Sequence, residues 1–207
     1  MWVVRAARFN VGMGGLSWTG ISIPMHGARY KWTEALKPSY SSIYGELAKL
    51  ENEGYGNSPG NLDVALRSFM STYDRWPTHS DSQLLDLITT LEALLGADSE
   101  IAFKLSFRVA ALLASDDQQR GVLLKQMKEF YDTRSRIVHG GQLKPKHQER
   151  LQRVEELRST VRQLVRCFVA FSAAPPAGYG KRFWRELDSV LVDAQQREKL
   201  RAALGLV

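Results

Sequence analysis

The sequence predicts an all-α protein, an antiparallel helical bundle that carries a short, partly β-prone extension at its N-terminus. Three observations lead to this fold class. From Asn61 onward, apolar residues recur at helical spacing almost to the end of the chain. Prolines and glycines interrupt that periodicity at intervals that suit helices of ordinary length. Residues 1–57 instead mix Gly, Ser, Tyr and Trp with short β-prone runs such as "MWVVRAARFNV".

The two regions meet at "GYGNSPGN", residues 54–61, a segment rich in Gly, Pro and Asn. We expect an extension over residues 1–57, interpreted as the tail of a preceding region, and a helical domain over residues 58–207. The chain of 207 residues is 44% hydrophobic and 24% charged, which suits one domain with an appendage. No apolar run approaches the roughly 20 residues of a membrane span, and no signal peptide is recognisable. We therefore expect a cytoplasmic protein with no membrane partner.

The first two predicted helices have clear limits. The first covers residues 61–76 and ends before Pro77, which cannot continue a helix. The second begins at Ser80, which forms a capping-box pattern with Gln83, and it ends at Gly96. Leucines at helical spacing through the second segment predict a wide apolar stripe.

The third and fourth predicted helices begin at acidic or hydroxyl side chains. Asp98 or Ser99 can cap a third helix that ends near Ala114. Asp116 and Asp117 open a fourth helix, because carboxylates are favourable at the positive end of the helix dipole. Both segments carry apolar residues at helical spacing, so both are expected to face the core.

The remaining elements follow two glycines. Gly140 and Gly141 are expected to end the fourth helix, since glycine readily adopts the left-handed conformation that follows a helix. One long fifth helix follows Pro145 and continues to the break "AAPPAGYG". A shorter pair of helices, over residues 181–193 and 194–204, completes the bundle.

The end of the fourth helix, "FYDTRSRIVHGG", contains two arginines and a histidine, side chains that can bind phosphate or transfer a proton. Arg134 and His139 have four residues between them, which places them about 140° apart on an uninterrupted helix. Arg136 and His139 are neighbours on such a helix. If Arg134 and His139 converge on one phosphate, either the helix distorts near Val138 or two copies of the chain meet.

Two interpretations of these residues stay open on spacing alone. Arg134 can grip a phosphate, and His139 can move a proton near neutral pH, as RNA cleavage without a metal requires. In that reaction the 2′-hydroxyl attacks its own phosphodiester. The ordinary structural explanation is that basic residues in a last helical turn complement the negative end of the helix dipole.

Three segments together are more specific than the motif alone. They are "LLDLITTLEALLG" (residues 84–96), "KLSFRVAALLA" (residues 104–114) and "FYDTRSRIVHGG" (residues 130–141). In this order they resemble the HEPN superfamily, and most closely its Apea-like branch. The resemblance covers about residues 63–141, and it implies an all-helical HEPN-like bundle.

The resemblance also implies a function. The family's signature is an Arg followed, after four to six residues, by a His, and Arg134 and His139 match it. Many members look like metal-independent endoribonucleases of defence or toxin–antitoxin systems, with two motifs lining the cleft of a homodimer. Other members bind RNA or nucleotides without cutting, so the alternative is a non-catalytic binding or protein-interaction module. The expected partners are RNA, a second copy, and an antitoxin or upstream regulatory domain.

Glu92 matches an acidic position of the Apea-like pattern and is expected to support the site. It can pair with Arg134 or Arg136, or it can orient His139. We favour an arginine partner, because a buried carboxylate needs a counter-charge.

Basic residues beyond the motif are candidates for binding the RNA backbone. The net charge is +6 with a pI of about 9.5, which favours anionic partners. Besides Arg136, the candidates are Arg158 and Arg162, which with Arg166 form a stripe on the fifth helix. The alternative, which we favour on spacing alone, is a solvated face with local ion pairs to Glu155 and Glu156.

Neither a metal nor another cofactor is predicted. His26, His79 and His147 stand alone, with no Cys or carboxylate at metal-ligand spacing. The sequence also lacks a glycine-rich phosphate loop and a dinucleotide fingerprint. The chemistry predicted here therefore depends on the side chains of the motif.

Overall fold

The computed structural model describes residues 33–53, 61–74, 79–96, 99–174 and 187–206. The chain divides into two compact units, Met1–Gly45 and Glu46–Val207. Every regular element within the described ranges is a helix, so the predicted all-α class is confirmed. The β-prone runs and most of the predicted linker lie outside the described residues.

A helix that we did not predict, α1, covers Lys37–Glu53, after a short 3-10 turn at Glu34–Leu36. Its sequence is mostly polar, and few apolar residues show its period. Leu50 is nevertheless buried in the hydrophobic core, and Leu47 packs against that core. Part of the extension predicted over residues 1–57 thus contributes to the core of the larger unit.

The other helices follow in chain order: α2 Leu62–Asp74, α3 Ser80–Leu95, α4 Ile101–Leu113, α5 Asp117–Val138, α6 Pro145–Gln152, α7 Val154–Ala173, α8 Leu187–Val192 and α9 Ala194–Ala203. Helix α3 is central, since it packs against α2, α4, α5, α6 and α7. It buries residues on almost every side, as expected of a helix surrounded by others. Glu92, one of the predicted site residues, lies on this helix.

The predicted helix starts at Pro145 and Ala194 are confirmed, and the start of the fourth helix is confirmed in its detail. Asp116 caps α5, and its carboxylate accepts a hydrogen bond from the Gln119 backbone N–H at 2.7 Å. The capping box at Ser80 is wrong, because His79 is the N-cap residue and makes no side-chain cap bond. The Gln83 side-chain amide instead reaches the Thr72 carbonyl oxygen at the end of α2, 3.5 Å away.

The predicted cap of the third helix is also wrong. The N-cap of α4 is Glu100, one residue after Ser99, and its φ of 52° is left-handed. Left-handed backbone is uncommon for a residue with a side chain, so the sequence did not indicate it. The end of this helix agrees with the prediction, since Ala114 is its C-cap.

The long fifth helix is wrong as a single element, because the chain forms α6 and α7 with a break at Arg153. No proline or glycine marks the break. Helix α6 packs on α5 and α3, whereas α7 packs chiefly on α3 and α2. The break follows from these separate packing partners, and the Arg153 guanidinium closes it by binding Glu156 at 2.5 and 2.7 Å.

Two buried arginines join the last two helices to the bundle. Arg108 donates through Nε and Nη2 to the two oxygens of Asp188 on α8, at 2.6 and 2.9 Å. Its Nη1 donates to the carbonyl oxygens of Leu95 and Gly96 at the end of α3, both at 2.6 Å. Arg201 on α9 similarly donates through Nε to the Leu112 carbonyl oxygen at the end of α4, at 3.0 Å. Each arginine therefore satisfies carbonyls that a helix end leaves unpaired.

Candidate functional site

The motif occupies the last turns of α5, which remain regular to the C-cap. The His139 N–H donates to the Ser135 carbonyl oxygen at 3.1 Å, as in an undistorted helix. The Gly140 N–H then donates to Ile137, and the Gly141 N–H donates to Arg136 at 2.9 Å. With a φ of 65° at Gly140, this is a Schellman motif. The predicted glycine exit is confirmed, and Gly140 is the left-handed residue.

Because α5 is regular up to His139, the distortion near Val138 that would bring the two motif side chains together does not occur. Arg134 and His139 therefore project from α5 about 140° apart. Arg134 lies on the side that faces α3, where it contacts Glu92. His139 is exposed at the helix end. Within one chain the two groups diverge, which leaves two copies as the arrangement that brings them together.

Arg134, Glu92 and Tyr131 form a cluster between α5 and α3, here called the Arg134 cluster. The Arg134 Nη2 lies 3.5 Å from Glu92 Oε2, so the arginine partner favoured for Glu92 is Arg134. The Tyr131 hydroxyl donates to Glu92 Oε1 at 3.1 Å. The guanidinium also lies over the Tyr131 ring, 5.6 Å from its centroid. Two neighbours thus orient Arg134.

The Arg134 guanidinium keeps donors available for a ligand. Its side chain is 25% exposed, and that of Glu92 is 24% exposed. Among the described residues its only hydrogen bond is the long one to Glu92. A guanidinium has five N–H donors in a planar fork, so several remain for phosphate oxygens. Burial and the Glu92 carboxylate raise the pKa of Tyr131 above its ordinary value, which keeps its hydroxyl protonated as a donor.

Gly96 fixes the end of α3 that carries Glu92. A Cβ at this position would lie 2.3 Å from the Glu92 carbonyl oxygen, far inside contact distance. Any side chain at Gly96 would therefore displace the last turn of α3. The predicted helix end at Gly96 is confirmed. The φ of −53° at Gly96 is accessible to any residue, so the position requires glycine because of the close approach of the backbone.

His139 and Arg136 are both exposed, on the side of α5 away from Arg134. The Arg136 stem lies along Gly141, where a Cβ would come within 3.2 Å of Cδ of Arg136. A surface depression of about 320 Å³ covers the earlier turns of this side of α5. Its lining residues are Gly121, Leu124, Lys125, Lys128, Glu129 and Asp132.

A His–carboxylate contact was missed in the sequence. His147 is 1% exposed, and its Nε2 lies 3.1 Å from Asp132 Oδ2, which Lys146 Nζ also contacts at 3.0 Å. The Lys144 N–H donates to Nδ1 of His147 at 3.1 Å. Because both ring nitrogens are occupied, His147 is a structural residue that caps α6. In the sequence, the only indication of this capping role is the position of His147 two residues after Pro145, in the first turn of a helix.

The Asp132 carboxylate is electrostatically satisfied by the same contacts. The hydrogen bonds from Lys146 and His147 lower the pKa of Asp132 below its ordinary value. Its neighbour Glu129 forms an ion pair with Arg150 of α6. Basic side chains of α6 therefore neutralise both carboxylates, Asp132 and Glu129, on this side of α5.

The arginine stripe of the predicted fifth helix lies on α7 and is largely occupied. Arg158 is 7% exposed, pairs with Glu155, and stacks on the Tyr73 ring with its guanidinium 5.1 Å from the centroid. Arg162 donates through Nη2 to the Tyr73 hydroxyl at 2.8 Å. The burial of Arg158 leaves little of its side chain exposed to contact RNA. Its ion pair with Glu155 is the local pair that was expected, whereas Glu156 pairs with Arg153, before the stripe. Both arginines join α7 to α2.

Within the described part of the chain, no group of three or more His, Cys, Asp and Glu side chains could hold a metal ion. No helix in that part is long and apolar enough to cross a membrane. Comparison with known protein families, curated proteins and solved structures finds no match to this chain. The family resemblance therefore depends on the three motif segments themselves.

Proposed function

We propose that this chain is a metal-independent endoribonuclease, with Arg134 and His139 acting at a cleft between two copies. The observation that carries the proposal is that the three motif segments meet in space. Glu92, from the first segment, contacts Arg134 in the third. Arg108, from the second segment, binds the carbonyls that end the first, including that of Gly96. Segments matched separately in the sequence are therefore in contact through these side chains, and this supports the proposal.

The proposed reaction needs only side chains. His139 accepts the proton of the 2′-hydroxyl as that oxygen attacks the adjacent phosphorus. The bond from phosphorus to O5′ breaks, and a proton returned by the imidazolium neutralises the leaving oxygen. The products are a 2′,3′-cyclic phosphate and a 5′-hydroxyl. The Arg134 guanidinium binds the non-bridging oxygens, where negative charge increases in the transition state.

The divergence of the two side chains supports a site made by two copies. In this arrangement His139 of one copy works beside Arg134 of the other. Val138 lies four residues after Arg134, on the same side of α5, and is 51% exposed. A second copy that packs on this side of α5 would cover Val138 together with Arg134.

The first test is cleavage of a mixed RNA pool in EDTA by the purified protein and by His139→Ala. We expect cleavage by the wild type and a loss of at least a hundredfold in the variant, the usual range for general acid–base groups. His139→Ala should fold normally, because the imidazole is exposed and the cap uses only the backbone.

His79→Ala is the matched control for this test. His79 is exposed at the start of α3, and its side chain makes no cap hydrogen bond. We expect this variant to cleave like the wild type. If His139→Ala cleaves as fast as the wild type, the proposed role of His139 is wrong.

A second candidate function is a non-catalytic module that binds RNA or nucleotides, or another protein. The observation in its favour is the ion pair of Arg134 with Glu92, which holds the guanidinium away from His139 within one chain. A folded, dimeric wild type that binds RNA but leaves it intact would establish this alternative. An antitoxin or upstream regulatory domain remains a prediction of the family resemblance.

A further inference from the structure

One side of α5 has a continuous row of residues that leads to His139. Its members are separated by steps of three or four, so they lie above one another along the helix. They are Gly121, Lys125, Lys128, Asp132, Arg136 and His139. From Lys125 to His139 the row extends about 20 Å at the rise of an α-helix. We call this row the α5 face.

The α5 face contains a depression over its first half. Four members of the row line this depression of about 320 Å³. Gly121 contributes to its open shape, because a Cβ at that position would have no atom within 4 Å. The lining of the depression ends at Asp132, and Arg136 and His139 follow on the same side of the helix.

The α5 face presents positive charge, because its carboxylates are already paired. Asp132 is bound by Lys146 and His147, and the adjacent Glu129 is bound by Arg150. Lys146 and Arg150, both from α6, neutralise the two acids from the side, and His147 adds a hydrogen bond to Asp132. The positive charges of Lys125, Lys128 and Arg136 are then not cancelled by the acids of the same helix.

The three cations of the α5 face are free to bind a ligand. Among the described residues, Lys125 and Arg136 form no ion pair, and both side chains are exposed. Lys128 Nζ lies over the ring of Phe103, 5.2 Å from its centroid, which orients the ammonium without removing its charge. By contrast, Arg158 of the α7 stripe is buried on Tyr73. All three cations of the α5 face are exposed, whereas in the α7 stripe only Arg162 and Arg166 are exposed, and Arg162 donates to Tyr73.

We infer that the α5 face binds the phosphate backbone of single-stranded RNA and leads the strand to His139. This inference rests on the proposed function, since it names the surface that presents the substrate to the same site. Lysine and arginine side chains bind phosphates by releasing condensed counterions, whatever the base sequence. The row of cations, their spacing along one helix and their end at His139 suit a strand lying along α5.

The test measures binding separately from cleavage. The probe is a 2′-O-methyl oligonucleotide of about eight residues, within the range of known single-strand sites. It lacks the 2′-hydroxyl, so the proposed nuclease cannot cut it. Fluorescence anisotropy at several salt concentrations compares the full chain with the double variant Lys125→Gln, Lys128→Gln.

We expect the double variant to bind about 20-fold more weakly at ~0.1 M salt, because two phosphate contacts are lost. The slope of log K against log salt should fall by about 1.4, at about 0.7 for each contact on a single strand. The matched control is Lys49→Gln with Arg67→Gln, two exposed cations on α1 and α2. That variant should bind like the wild type.

Equal affinity and equal salt slope in the double variant and the wild type would overturn the inference. A loss confined to the control variant would also overturn it, because the strand would then follow another surface. These outcomes are independent of cleavage. Loss of cutting in His139→Ala, with normal binding of the methylated probe, supports the nuclease, whereas binding that depends on the lysines supports the α5 face even in a protein that does not cut.

Discussion

Two side chains hold the Arg134 guanidinium in place. Glu92 lies on α3, and Tyr131 lies one turn before Arg134 on α5. Glu92 supplies the opposite charge, and Tyr131 supplies both a ring and a hydroxyl. The ion pair is long and partly exposed, so it contributes little to the free energy of unfolding. Its main consequence is the orientation of the guanidinium toward the second copy that we propose.

Tyr131→Phe removes one hydrogen bond from the Arg134 cluster and keeps the ring under Arg134. We expect the free energy of unfolding to fall by about 1 kcal/mol at neutral pH, as for an ordinary side-chain hydrogen bond. Urea denaturation measures this difference. No change in stability would mean that the Tyr131–Glu92 contact makes no net contribution.

The difference in stability between the wild type and Tyr131→Phe should also depend on pH. The pKa of Tyr131 is raised in the folded protein, so its contribution to stability is complete below the ordinary pKa of 10.0 and is lost as the pH rises above it. The wild type should therefore lose more stability than Tyr131→Phe above about pH 10. A constant difference between the two proteins across that range would contradict this expectation.

At the scale of the elements, local signals located most helices but not all of their limits. Asp116 and Gly140 act where the sequence indicates, because a cap and a left-handed glycine are local backbone preferences. Glu100 and the break at Arg153 had no such signal. Helix α1 was missed because its polar sequence shows little period, although Leu50 is buried.

Arg108 holds three elements together, and its removal tests that arrangement. Arg108→Met leaves Asp188 and two carbonyl oxygens at the end of α3 without their donor. We expect the free energy of unfolding to fall by about 3 kcal/mol, the range for breaking a buried ion pair, discounted because Asp188 is 38% exposed. Urea denaturation again provides the measurement.

The matched control is Arg67→Met. Arg67 pairs with Asp63 at 2.6 Å on the surface of α2, and its side chain is 70% exposed. Removing it should cost at most about 1 kcal/mol. Equal costs at Arg108 and Arg67 would show that Arg108 does not join the helices in the way described.

The stability that the Arg108–Asp188 contact contributes also depends on pH. Arg108 lowers the pKa of Asp188 below its ordinary value of 3.8. The stability from this contact is therefore present above that value and is lost as the pH falls further. The difference between the wild type and Arg108→Met should narrow in acid, below about pH 4.

At the scale of the whole molecule, the proposed site belongs to a pair of chains. Mixing two inactive variants tests this directly. Copies with Arg134→Ala retain His139, and copies with His139→Ala retain Arg134. A mixed dimer then has one intact site if the two groups come from different copies.

We expect the mixture to recover about one quarter of wild-type cleavage, because random exchange makes half of the dimers mixed and each has one working site. The measurement is RNA cleavage after the variants have exchanged subunits. Each variant alone is the control and should be inactive. No recovery in a mixture that is shown to contain mixed dimers would contradict a site shared between copies.

The sequence by itself determined the helical class, the places of α2 to α5 and the residues of the Arg-x4-His motif. These features depend on hydrophobic period and backbone preference, which neighbouring residues carry. Only the tertiary structure decided that Glu92 meets Arg134, that His147 meets Asp132 and that Arg158 is buried on Tyr73. Such contacts join residues far apart in the chain, and they depend on how the helices pack, about which local spacing carries no information.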